Sequence, residues 1–163
     1  MVDNSLYDEL IYDRTVDNIN IIKALSKKRY KDFTDTEKQQ WIDNIKKGCY
    51  TYTDLNRVES LINDIANRCV TIGINVEIKP IKTWQKADIP TLVDIERIVY
   101  NINVIRNLNI VLETTPQAPD NIKLNYIDAN NIESIIKDMN LLLVTEDDIY
   151  SHCGTDMYCG ESY

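Results

Sequence analysis

The sequence predicts a mainly α protein: a small bundle of about five helices, a β-like segment near 70–78 and an extended C-terminal arm. Three observations carry this expectation. One apolar helical stripe recurs three times at an offset of 37 residues. Two further helical patterns precede it. The 163 residues include only 4 Gly and 4 Pro, which leaves few candidate flexible linkers.

The recurrence comprises Leu55-Asn-Arg-Val58-Glu59-Ser-Leu61-Ile62-Asn-Asp64-Ile65, Leu92-Val-Asp-Ile95-Glu96-Arg-Ile98-Val99-Tyr-Asn101-Ile102 and Ala129-Asn-Asn-Ile132-Glu133-Ser-Ile135-Ile136-Lys-Asp138-Met139. Apolar residues fall at relative positions 0, 3, 6, 7 and 10, which form one stripe on an α-helix. Asp54, Thr91 and Asp128 stand one residue earlier as expected N-caps. Glu recurs at position 4 as Glu59, Glu96 and Glu133. One Glu per helix without a nearby His does not make a di-metal motif, so these carboxylates are expected at the rim of helix contacts, favoured by the helix dipole.

Two helices are expected before the recurrence. One covers about 14–29, with Val16, Ile19, Ile22 and Leu25 on its stripe. The other opens at the capping box Thr34-Asp-Thr-Glu37, carries Trp41, Ile42 and Ile45, and ends at Gly48 as a C′ residue. Trp41 at this spacing reads as core. Between the first two stripes, Val70, Ile72, Ile74, Val76 and Ile78 alternate with Thr71, Gly73, Asn75, Glu77 and Lys79, a period-two signal for a half-buried strand. Trp84 and Ile89 are expected to anchor the stretch that follows. The chain thus divides into an N-terminal helical pair (1–48), three recurring helices with their connections (49–143) and an acidic arm (144–163).

Net charge is −8. The arm supplies Glu146, Asp147, Asp148, Asp156 and Glu161 and no basic residue. Such acidity argues against nucleic-acid phosphates or an anionic membrane as partners. No run of 18 apolar residues exists, so no membrane span is expected. The first residues lack a basic n-region and an apolar h-region, so synthesis in a reducing cytoplasm is expected, with Cys49, Cys69, Cys153 and Cys159 as free thiols.

No Gly-x-Gly-x-x-Gly, Walker A, Gly-x-Ser-x-Gly or His-Glu-x-x-His pattern occurs, and the one histidine is His152. The sequence therefore predicts no enzyme, no cofactor and no metal. A zinc site on His152, Cys153, Asp156 and Cys159 is disfavoured by the wide cysteine spacing and the unclear fourth ligand. The arm instead supplies candidate assembly contacts: Tyr150, His152, Tyr158 and Glu161.

Four stretches occur in order: Tyr12-Asp-Arg-Thr15, Tyr52-Thr-Asp-Leu-Asn-Arg-Val-Glu59, Thr83-Trp-Gln-Lys-Ala-Asp-Ile-Pro-Thr91 and Leu124-Asn-Tyr-Ile-Asp-Ala-Asn-Asn-Ile-Glu133. With the ending Tyr158-Cys-Gly-Glu161, this series resembles small helical proteins encoded among tail and structural genes of phages and prophages of low-GC Gram-positive bacteria. The resemblance covers most of the chain and transfers no functional residue. It implies a non-enzymatic virion component of a tail, baseplate or fibre attachment. Such a protein is made in the bacterial cytoplasm and assembles with itself or other phage structural proteins. The alternative is a soluble assembly adaptor or chaperone-like protein-binding module.

Overall fold

The computed structural model describes residues 5–108, 111–120 and 123–155. It is mainly helical, as expected. A single turn, α1 (Ser5–Asp8), is followed by α2 (Val16–Leu25) and α3 (Asp35–Gly48), then α4 (Tyr52–Thr71), α5 (Leu92–Arg106) and α6 (Tyr126–Thr155). No strand occurs among the described residues. No described helix is long and apolar enough to cross a membrane.

The recurring helices α4, α5 and α6 pack pairwise into a three-helix bundle. In α4 and α6 every stripe residue is buried, from Leu55 to Ile65 and from Ala129 to Met139. In α5 the burial begins lower: Ile98 and Ile102 are inside, Ile95 is half-buried, and Leu92 is 62% exposed. The cause lies in the helix starts. Helices α4 and α6 begin three residues before relative position 0, whereas α5 begins at position 0, just after Pro90. The extra turns open at capping boxes, Thr51 with Asp54 and Asn125 with Asp128. Asp54 and Asp128 are therefore the third helical residues and not the caps the spacing suggests. Thr91 does cap α5, paired with Asp94.

The three helices run parallel. Arg57 and Arg68 of α4 reach Glu133 and Asn140 of α6 in the same order along both chains. The segment between α4 and α5 meets Asn101 at Lys79, then Glu59 at Lys82, then Asn56 at Trp84. It thus climbs against the direction of both helices. Parallel helices require such returns, and each lies in an interhelical groove. Residues 74–84 lie between α4 and α5, and residues 111–120 between α5 and α6. Residues 7–14 lie between α6 and α4.

The alternation over 72–78 is real without being a strand. Ile72, Ile74, Val76 and Ile78 pack on the core while their neighbours face outward. The ladder is absent because side chains take its place: the Asn101 amide accepts from Lys79 N–H (2.8 Å) and donates to Lys79 C=O (3.0 Å). Val70 and Thr71 belong to α4. The helix stops at Gly73, the only described glycine with positive φ (+85°). There the Gly73 and Ile74 N–H groups cap the Val70 and Cys69 carbonyls in a Schellman pattern.

Helices α2 and α3 form an antiparallel hairpin with a core of its own around Ile22, Leu25 and Phe33, where Trp41 meets Phe33 edge-on. Gly48 is the last residue of α3 and not a C′ residue. Its role is close approach, since a Cβ there would lie 2.4 Å from Ile22 Cγ1 and 2.6 Å from the Asn18 carbonyl. At the other end, α6 continues through Thr155, so 144–155 is helical where an extended arm was expected. No Pro or Gly occurs between Tyr126 and Gly154 to stop propagation. Residues 156–163 lie outside the described residues.

Gly48→Ala should lower unfolding stability by about 1–3 kcal/mol through overpacking in the hairpin. Gly73→Ala should cost about 1 kcal/mol through its backbone alone. Urea unfolding of the two variants checks both; an unchanged midpoint for Gly48→Ala would contradict the close helix approach.

Candidate functional site

The recurrent glutamates are the structural centre of the molecule. Glu133 is fully buried and accepts from three directions. Arg14 donates at 2.7 Å, Arg57 at 3.0 Å and the Ile11 N–H at 2.7 Å. Arg57 also meets Asp54 at 2.7 Å, and Arg14 lies 3.6 Å from the same carboxylate. Two positive and two negative groups thus close into one buried network. The attraction of Glu133 and Asp54 outweighs the burial that opposes the charge on Arg57, and holds its guanidinium above its ordinary pKa.

Glu59 repeats the device one groove over. It accepts from Trp84 Nε1 (2.7 Å), the Lys82 N–H (2.9 Å) and Arg97. Asn at position 1 is used twice as well. Asn56 exchanges two hydrogen bonds with the Trp84 backbone, and Asn130 exchanges two with the Arg14 backbone. In α5 the same positions hold Val93 and Glu96, both exposed. The residue 37 positions beyond Lys82 is Pro119, which has no N–H to offer Glu96.

The rim position expected for these glutamates therefore holds only for Glu96. Glu59 and Glu133 are interior charges. Their partners, Arg14 and Arg57 above all, escape sequence inspection because they lie outside the apolar stripe. The order Asn–x–x–Glu at positions 1 to 4 of the first and third repeats is the signal that could have found them. Among the described residues no group of three or more His, Cys, Asp or Glu is placed to hold a metal ion.

A cleft of about 500 Å³ opens between the hairpin and the N-terminal end of the bundle. The missing first turn of α5 makes the room. Its wall is apolar, from Leu55, Ile95, Ile98, Leu124 and Ile132, and Lys23, Tyr50 and Arg14 supply the polar groups. The Arg14 guanidinium lies 5.0 Å from the centre of the Tyr50 ring. Its Nε is buried without a hydrogen-bond partner. Lys23 is exposed and makes no ion pair among the described residues. Asp54, Asp94 and Asp128 occupy the first turns of the three helices and offset their partial positive charge. The cleft's chemistry is that of a receptor for an apolar or aromatic group beside an acceptor.

Cys49 borders this cleft, and burial pushes its thiol pKa up, which makes it a poor nucleophile at neutral pH. Next in the chain to the lining residues Pro90 and Ile95, Ile89 (83% exposed), Leu92 and Val93 (71%) form a short outward apolar strip. Trp84 anchors its segment as expected; Ile89 does not. Of the expected assembly contacts, Tyr150 and His152 fall on α6, and Tyr158 and Glu161 lie outside the described residues. Comparisons with protein-family models, with curated proteins and with solved structures each give no match.

Glu133→Ala should destabilise the fold by about 3–5 kcal/mol, because two buried arginines are then left with Asp54 as their one shared counter-charge. Glu96→Ala should stay within about 0.5 kcal/mol. Equal losses at the two sites in urea unfolding would refute the division into interior and surface glutamates.

Alkaline stability follows from two phenols. Burial, then the neighbouring Asp64, raises the Tyr7 pKa well above the ordinary tyrosine value; burial, then Glu133, does the same to Tyr50. An unfolded tyrosine loses its proton near pH 10, whereas these two hold theirs. Above that pH the folded state binds more protons than the unfolded one, so stability is intact below about pH 10 and falls as pH rises beyond it. Phenolate absorbance should show two tyrosines that titrate only as the helical circular dichroism is lost. Tyr7→Phe should leave one.

Proposed function

We propose that the chain is a non-enzymatic structural component of a phage virion, of the tail, baseplate or fibre-attachment kind, acting through protein–protein contacts. The observation that carries the assembly reading is the outward apolar strip of Ile89, Leu92 and Val93 beside an apolar cleft. Contiguous exposed apolar surface of this kind marks interaction sites. The strongest charges are meanwhile spent on holding the chain's own segments together. The virion setting rests on the series of stretches that resembles phage tail-region proteins. The cleft equally suits an adaptor that holds an unassembled partner.

Quantitative mass spectrometry of particles released by the encoding strain distinguishes the two. A structural component should be present at a fixed, symmetric copy number per particle. Recovery only with unassembled proteins, and none in intact particles, would replace the structural reading with the adaptor.

A further inference from the structure

We infer that the cleft between the hairpin and the bundle receives residues 156–163 of a second copy of this chain, so that copies join head to tail. The inference rests on the assembly reading above and names the partner and the contact. Reach comes first. Helix α6 starts at the cleft with Tyr126 and ends at Thr155, 30 residues later. At about 1.5 Å per residue its ends are roughly 43 Å apart. Eight extended residues span at most about 28 Å. Residues 156–163 therefore fall short of their own cleft and can fill only that of another copy.

Charge and shape select the occupant. The hairpin, residues 16–48, carries eight basic and five acidic side chains in a chain of net charge −8. Residues 144–163 carry five acidic side chains and no basic one. Lys23, exposed at the cleft and without an ion pair among the described residues, is the cation that Asp156 or Glu161 would meet. The unpartnered Arg14 Nε calls for one more acceptor, which a peptide carbonyl supplies. The apolar wall suits the ring of Tyr158, and about 500 Å³ is in the range that accommodates such a group with its neighbouring backbone. Cleft and tail are different surfaces, so the contact is heterologous: copies close into a ring if the rotation permits and otherwise run on as a filament.

Sedimentation velocity across about 1–200 μM tests this with three chains: the full chain, a variant ending at Thr155, and Lys23→Glu. The full chain should grow in size with concentration, and each variant should associate at least about tenfold more weakly. Lys23 is exposed, so its variant should keep the helical spectrum of the full chain. The truncated variant keeps the cleft and Lys23→Glu keeps the tail. Joining Lys23→Glu with Asp156→Lys and Glu161→Lys in one chain should restore assembly. A labelled 156–163 peptide should bind the truncated variant and lose about tenfold in affinity for its Lys23→Glu form. A full chain that stays monomeric, a truncated variant that assembles as well as the full chain, or a peptide that does not bind each overturns the inference. Absence from particles combined with tail-dependent assembly would instead sink the virion reading and leave the head-to-tail contact standing.

Discussion

Everything else in the fold is arranged around one buried carboxylate. Glu133 joins α6 to α4 through Arg57 and to the N-terminal segment through Arg14 and the Ile11 N–H. A lone charge in that position would be prohibitive, and a single partner would leave lone pairs unsatisfied. Three donors from two other parts of the chain make it tolerable. They also fix where each part sits. Arg14 is then held against Tyr50, and Tyr50 sets the near wall of the cleft. The opening between hairpin and bundle is thus shaped by an interaction at its base.

The parallel course of the recurring helices creates a second constraint. Each helix must be followed by a return, and a return buried in a groove brings backbone groups that need partners. A sheet would provide a ladder. This chain provides Asn56, Asn101 and Asn130, whose amides donate and accept at once, with Glu59 and Glu133 taking N–H groups left over. The unit of the 37-residue recurrence is therefore a helix together with the groove-bound segment it holds. The repeat breaks where α5 has Val93 and Glu96 and its return has Pro119. Leu92 and Val93 of the exposed strip and Ile95 and Ile98 of the cleft wall lie on this same helix, so the departure from the pattern leaves surface available for contact.

The helices, their stripes and the hairpin were readable because 3.6-residue periodicity and capping boxes are local properties of the chain. The alternation of 72–78 was readable for the same reason. Its partner was not, since one extended segment packs the same way against helices or against another strand. The starts of α4 and α6 lie one turn earlier than the spacing indicates, because an Asp that closes a capping box looks, in sequence, like a cap. The helical stretch at 144–155 differs from the extended arm expected because composition changes there without a helix-breaking residue before Gly154, and acidity alone does not end a helix. Of the cleft, only individual lining residues could be named. Its existence depends on a missing helical turn beside two present ones.

The sequence by itself determined that this is a helical protein built on a 37-residue recurrence, with its acidity concentrated beyond residue 143. Those features follow from side-chain spacing and charge, which need no knowledge of what lies across the core. Only the tertiary structure decided that the helices are parallel, that two of three recurrent glutamates are interior, and that the hairpin stands off the bundle to leave a cleft. Each of these depends on contacts between residues more than 20 positions apart. Burial turns a surface charge into an organising one, and no local pattern specifies which charges will be buried.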